Sequence, residues 1–513
     1  MIRVSGPSLK KVDRSSPLYA LLEDAHARIA RMDPSTWGQS AKAEASIRLN
    51  WVDLPTTSRE LLPVFDELIS KFNGFEKIIL CGMGGSSLAP EVIARTYGKA
   101  LFVLDSTDPN YIAHTNSFNL QKTLILVSSK SGSTIEVASQ RAYFENQLEI
   151  AGLDPRKHMI FITDPGSGLD SEVRSRGFTV INADPNVGGR FSALTAFGLV
   201  PTALMGLRGS DLLDQAEQAK SNFIENSSDI LGVAYALTSL THQFIGFTDA
   251  GSQVPGLSDW IEQLIAESTG KDQKGRLPIA VEDVNEASKG GALSVSFAPH
   301  PSADLVVEAE LGEHFIFWEW VTALMGAALE VDPFNQPNVT EAKEATSALL
   351  SKWSNHFPIM SGDADDECVE IFGHGVTLVS ALKNLIANTD SEGYIAVMAY
   401  LDRVDDKKIS ELRAILSEKS GRPVSFGWGP RFMHSTGQFH KGGQQNGSFL
   451  QITGETSSNF DVPGKGLDFK TLLMAQALGD SDALLKRKYP LLRLHLQNRS
   501  AGIDHILKAA RSL

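Results

Sequence analysis

Cysteine is nearly missing from this chain. Only Cys81 and Cys368 occur in 513 residues, far apart and outside any CxxC or Cys/His ligand spacing. That excludes a disulfide framework and a zinc knuckle, and it fits a reducing compartment. Positive charge is also short. With 47 Lys and Arg against 61 Asp and Glu, the net charge is -14, which repels nucleic acid and anionic membrane surfaces. An anionic ligand must then be captured by a local cluster of donors. Long apolar runs are lacking too. The opening MIRVSGPSLKKVDRSS has no apolar core, and the stretch from Phe315 to Val331 is interrupted by Glu319 and short for a bilayer. Neither an export leader nor a membrane anchor is expected, and the expected setting is the cytoplasm. Low-complexity tracts and fixed-period repeats are absent as well.

What is present is apolar sequence in short, ordered pieces: 42% of residues are hydrophobic and 21% charged, over a length suited to two main domains. Residues 1–75 carry apolar positions at helical spacing, as in SPLYALLEDAHARIARM and SRELLPVFDELISKF, with breaks at Pro34 and Pro55. Residues 76–208 hold five β-rich runs, KIILCGMG, ALFVLDS, TLILVSSKS, HMIFITD and FTVINAD, separated by helix-length stretches. This alternation predicts an α/β, doubly wound domain with a parallel sheet covered on both faces, and ligands beyond the carboxyl ends of its strands. Residues 209–454 repeat the pattern, with a helix around Asp259 to Ser268 and the runs LPIAVED, ALSVSFA, ADLVVEAEL, CVEIFG, GYIAVMAYL, PVSFGWG and GSFLQIT. They are read as a second α/β domain. Residues 455–513 form a tail with a loop-like SSNFDVPGKG and two helical runs.

Four loops carry residues suited to chemistry. Gly82-Met83-Gly84-Gly85-Ser86-Ser87 directly follows a strand, where glycines let backbone N–H groups approach an anion. A dinucleotide fingerprint competes for it, since Asp105 ends the next strand, but Ser87 stands where a third glycine belongs. Ser128-Ser129-Lys130-Ser131-Gly132-Ser133-Thr134 puts five hydroxyls around a glycine at a helix start, which suits a phosphate dianion. Gly188-Gly189-Arg190-Phe191-Ser192 offers Arg190 to an anion or a developing oxyanion. Glu267-Ser268-Thr269-Gly270-Lys271 sets a carboxylate at a helix end, which by itself reads as a solvated C-cap with favourable lysines.

Together GMGGSSLAP, SSKSGST, GGRFSALTAFGL, ESTGKDQKG, DPFNQPNVTEAK and HSTGQ resemble the phosphoglucose isomerase family, and most of all the isomerase portion of transaldolase–isomerase fusion proteins, without the transaldolase half. The resemblance implies two sugar-isomerase (SIS) domains. It also implies interconversion of glucose 6-phosphate and fructose 6-phosphate with no cofactor or metal. By the resemblance, Gly85, Ser86, Ser129, Lys130, Ser131 and Thr134 hold the sugar phosphate, Gly189 and Gln336 line the substrate, Glu267 is the base and Arg190 stabilises the oxyanion. Lys343 and His434 are matched to ring opening, with His440 and His314 as alternatives to His434. In the family the histidine segment precedes the lysine helix, whereas here Gln336 and Lys343 come before His434. The family's histidine comes from a partner subunit, which implies a homodimer.

The chemistry is coherent with that assignment. An enediol route needs a base that takes a proton next to a carbonyl and returns it one carbon along, and a fixed cation for the enediolate. Two other readings are a sugar-phosphate-binding SIS regulator, which needs no base, and an isomerase that also accepts mannose 6-phosphate.

Overall fold

The computed structural model describes residues 1–239, 243–353, 356–358 and 361–513. Its strands gather into three larger sheets and one two-stranded ribbon. The first sheet contains Lys77–Gly82, Phe102–Leu104, Thr123–Ser128, Met159–Thr163 and Thr179–Asn182, all parallel. These are the five runs read from the sequence. Their buried, nearly unbroken apolar faces account for the absence of a polar side, because helices cover the sheet above and below. Lys77–Gly82 pairs with Phe102–Leu104 on one side and with Thr123–Ser128 on the other. The chain order therefore reverses beside Lys77–Gly82, and the crevice of such a reversal lies at the carboxyl ends of the two strands that feed the GMGGSS and SSKSGST loops.

The second sheet joins Phe244–Thr248, Leu277–Ala280, Leu293–Ser296 and Leu305–Glu308 in parallel, with Arg3–Ser5 added antiparallel at one edge. The third contains Leu491–Leu496, Gly447–Gly454, Tyr394–Ala399 and Val424–Trp428 in parallel, with Ala364–Asp366 and Val369–Phe372 antiparallel at the other end. The seven runs read as one later α/β region thus divide between two sheets. Arg3–Ser5, Phe244–Thr248, Ala364–Asp366, Leu491–Leu496 and the ribbon strands Asp461–Val462 and Leu467–Asp468 went unread. Arg3–Ser5 is only three residues long, and Leu491–Leu496 lies between two strongly helical runs. The run LLRLHL nonetheless alternates half-buried and buried, as a strand in a sheet should.

The stretch around Phe315 to Val331 lies mostly within helix Leu311–Ala328, in which every residue from Leu311 to Ala327 is buried. It packs against Gly209–Glu225 and Ser228–Ser239 at the centre of the largest core. A helix apolar all round is a core helix when other helices enclose it. No helix among the described residues is long and apolar enough to cross a membrane.

Candidate active site

The glycines decide how closely the loops approach. A Cβ on Gly85 would lie 1.9 Å from the carbonyl oxygen of Gly189, so the first motif reaches the backbone of the third only because Gly85 carries no side chain. Gly84 has φ +55°, and a Cβ on it would meet the Gln263 amide nitrogen at 2.7 Å and the His434 carbonyl oxygen at 3.1 Å. Gly270 is pressed against Phe439 in the same way, a Cβ there lying 2.6 Å from the Phe439 Cα. Four motifs remote in sequence thereby converge on one place.

Glu267 lies in the last turn of helix Leu257–Thr269 and is buried. One of its carboxylate oxygens, Oε2, lies 3.5 Å from Arg190 Nη1 and 3.3 Å from the Gln263 side-chain nitrogen one turn earlier. Arg190 is buried as well and spends its remaining donors on position: Nε donates to Ser268 Oγ at 2.8 Å, Nη1 to Gln336 Oε1 at 2.9 Å, and Nη2 to the carbonyls of Pro333 and Asn335. A guanidinium held on so many sides is a fixed positive charge beside the carboxylate.

Lys271 is no solvated cap residue. It is 2% exposed and donates to the carbonyls of Asp332 and Asn335, tying the ESTGK turn to the DPFNQPN loop. Burial and the nearby Arg190 push its pKa well below the ordinary lysine value, against the pull of Asp332 and Glu267. Thr269 turns its hydroxyl to the backbone, donating to the Ile265 carbonyl at 2.8 Å.

The serine loop opens helix Ile135–Ile150, whose N-cap Thr134 makes no side-chain cap bond. Ser129 Oγ accepts from the Gly132 N–H at 3.2 Å, and Ser131 and Ser133 pair through their hydroxyls at 2.8 Å. The first-turn N–H groups and the half-exposed hydroxyls therefore face outward at a helix N-terminus. Lys130 turns the other way. Its ammonium lies 2.6 Å from Asp164 and 3.4 Å from the carbonyls of Asp184 and Pro185, and burial lowers its pKa.

Glu136, in the first turn of that helix, was not singled out from the sequence. It is buried, and its Oε1 lies 3.0 Å from His434 Nε2 and accepts from the Gln476 amide at 2.7 Å. Burial alone would raise its pKa, but His434, the backbone N–H of Glu136 and Lys343 together outweigh that and hold it below the ordinary value. His434 ends the short turn Arg431–His434 after strand Val424–Trp428, and its carbonyl accepts from Gln263 at 2.8 Å. Lys343, exposed on helix Val339–Lys352, lines a cavity of about 150 Å³ together with Thr134, Glu136 and His434. Gln438 completes the assembly by donating to the Gly270 carbonyl at 2.9 Å and accepting from the Asn338 N–H at 3.0 Å.

The two other histidines sit elsewhere. His440 is buried with Nδ1 2.8 Å from the Tyr394 hydroxyl, and burial lowers its pKa to about 3. His314 is buried against Phe297 in the central helix, its pKa likewise lowered to about 3 by burial.

The chain's similarity to known proteins covers the same loops. Residues 70–274 match the family model described as phosphoglucose isomerase. A glucose-6-phosphate isomerase of Campylobacter jejuni is 32% identical over 246 residues, covering 45% of this chain and 61% of that protein. One from Thermus thermophilus is 31% identical over 267 residues, covering 50% of this chain and 62% of that protein. The chain thus spans about three fifths of the length of these curated relatives. In fold it resembles the crystal structure of a glucose-6-phosphate isomerase from Chlamydia trachomatis, with TM-score 0.54, 18% identity, and coverage of 70% of this chain and 89% of that one. The matched residues 70–274 carry the GMGGSS, SSKSGST, GGR and ESTGK loops.

Proposed function

We propose that this chain is a glucose-6-phosphate isomerase, interconverting glucose 6-phosphate and fructose 6-phosphate by ring opening followed by proton transfer through an enediol. The observation that carries the reading is the buried Glu267 carboxylate, held between the fixed Arg190 guanidinium at 3.5 Å and the Gln263 amide at 3.3 Å. A regulator that only binds a sugar phosphate has no use for such a pair.

In this reading the sugar phosphate is bound by the N–H groups and hydroxyls of Gly85, Ser86, Ser129, Ser131 and Thr134. Lys130 supports that loop from behind through Asp164. His434, with the Glu136 carboxylate 3.0 Å behind it, exchanges protons with the ring oxygen and anomeric hydroxyl, and Lys343 borders the same cavity. Glu267 then removes the C2 proton of the opened aldose and returns it to C1. The enediolate charge develops near Arg190, and a preorganised donor of that kind is worth about 3–4 kcal/mol in a site that excludes water. Gly189 and Gln336 shape the wall beside it.

Residues 76–208 then hold the first sugar-isomerase domain and 209–454 the second, in a cytoplasmic homodimer, with 1–75 adding Arg3–Ser5 to the second sheet and 455–513 adding Leu491–Leu496 to the third. The cytoplasmic setting is supported by Cys81 and Cys368, which are both free. A coupled assay for conversion of fructose 6-phosphate to glucose 6-phosphate, run beside Glu267→Gln, tests the reading. Wild type is expected to turn over, and the variant to bind substrate while losing catalysis by orders of magnitude; wild-type binding without turnover would point to the regulator instead.

A further inference from the structure

We infer that a cavity of about 410 Å³ on the polar face of the third sheet is a second small-molecule site, suited to a hydroxylated anion whose carboxylate or phosphate pairs with Arg493. Phe372, Thr453, Glu455, Lys470, Met474 and Arg493 are among its walls.

The sheet itself sorts these residues. Along Leu491–Leu496, the side chains of Leu492, Leu494 and Leu496 are buried in a core on one side, so Arg493 and His495 stand on the other. Arg493 is in register with Phe372, and His495 with Glu370 and Thr453, which brings all five to one face. The Arg493 guanidinium carbon lies 4.6 Å from the centre of the Phe372 ring. A ring so placed covers the flat face of a guanidinium and leaves its N–H edge for a partner. Yet the buried Nε has no hydrogen-bond partner, and Asp363 and Asp482 attract the group without pairing with it.

Buried N–H groups are matched as a rule, and the acids that line this cavity are engaged elsewhere. Glu455 lies 2.5 Å from the Lys470 ammonium and 3.4 Å from His495 Nε2, and Glu370 accepts from the Gln497 amide at 3.1 Å. Asp468 caps helix Phe469–Lys486 by accepting from the Thr471 N–H at 2.7 Å. The two oxygens of a carboxylate or phosphate match the guanidinium fork. Ionised carboxylates only accept, so ligand hydroxyls complement Glu370 and Glu455.

Helix Phe469–Lys486 separates this cavity from the reaction site. At about 3.6 residues per turn, Thr471 and Met474 face the cavity, while Gln476 and Asp480 lie on the opposite side of the helix. There Gln476 donates to Glu136, and Asp480 pairs with Lys441 at 2.5 Å. Among the described residues, none that lines the second cavity also lines the one holding Glu136, Lys343 and His434.

Titration calorimetry on the full chain tests this with two probes that share a hydroxylated skeleton, glycerol 3-phosphate and glycerate, each run on wild type and on Arg493→Met. Binding in the reaction cavity is common to both proteins, so the difference between them reports the second site. Wild type is expected to bind at least one probe at a site that Arg493→Met weakens by about tenfold or more. Weakening confined to glycerol 3-phosphate assigns the site to phosphates, and weakening confined to glycerate assigns it to carboxylates. Should Arg493→Met melt well below wild type, Arg493→Lys takes its place, keeping the charge but losing the fork, and the same weakening is expected. Wild type that binds neither probe, or a variant that binds both as tightly as wild type, overturns the inference. The titration needs no turnover, so its result is independent of the isomerase reading.

Discussion

Glu136 Oε1 and His434 Nε2 lie 3.0 Å apart, joining the first helix after the serine loop to a turn near the other end of the chain. The pair couples a proton-transfer group to a buried charge, so its chemistry depends on the carboxylate being ionised.

Replacing that charge while keeping the shape, Glu136→Gln, is expected to lower kcat/KM on the order of 10²-fold. The same change should alter stability against pH. Because His434, with the backbone N–H of Glu136 and Lys343, depresses the folded pKa of Glu136 below the ordinary 4.5, the pair stabilises the fold above that value and loses its contribution as pH falls through the lowered one. Denaturation of wild type and variant between neutral and acid pH is therefore expected to converge at the acid end; a constant gap would refute the charge pairing.

Arg190→Lys keeps a positive charge but has three donors where the guanidinium serves Ser268, Gln336, Pro333 and Asn335 together. The cation then loses its fixed place beside Glu267, and kcat should fall by about 10²–10³-fold with a smaller change in KM. Steady-state kinetics decide it, and a kcat within tenfold of wild type would speak against a role for guanidinium geometry.

Arg431→Met removes the shared partner of Glu91 and Asp105. Burial raises the Glu91 pKa, but Arg431, Arg403 and Arg95 together outweigh it and hold the carboxyl below the ordinary range. Stranding these charges should cost about 3–5 kcal/mol at neutral pH. Glu91→Gln added to Arg431→Met is expected to restore part of that loss, measured by chemical denaturation. Absence of any rescue would show that the loss lies in packing instead.

Glu319 is a buried carboxyl in the middle of the central helix, and neither of its oxygens finds a partner among the described residues. Burial raises its pKa well above the ordinary 4.5. A raised carboxyl pKa favours the fold below the unfolded value and costs stability as pH rises from there towards the folded one. Glu319→Gln is thus expected to stabilise the protein at pH 7 on the order of 1–3 kcal/mol, with the advantage shrinking towards pH 4. A variant less stable than wild type at pH 7 would mean the carboxyl makes a bond that glutamine cannot.

The first sheet was legible because each of its strands is a compact apolar run with a glycine- or hydroxyl-rich loop behind it, and a strand buried on both faces leaves that mark. Division of the later strands between two sheets was not legible, since an apolar run reports a strand and says nothing of its neighbours. The contrast recurs at the site. Glu267, Arg190 and His434 were singled out through the motifs of the family resemblance, since Glu267 by itself reads as a solvated C-cap. Glu136 resembled any acidic residue in a first helical turn, Gln263 any polar residue of an amphipathic helix, and Lys271 any lysine near a helix end. Their roles are fixed by partners across the molecule, as with Gln263 and the carbonyl of His434.

Gln438 holds the Gly270 carbonyl and the Asn338 backbone with one side chain. The base turn, the loop before the lysine helix and the histidine segment therefore share their hydrogen bonds. Loosening any one leaves buried polar groups of the other two without partners, so the three stretches open to solvent as one cooperative unit. A change at Gln438 therefore reaches the Glu267 turn and the His434 segment together, although neither residue touches it directly.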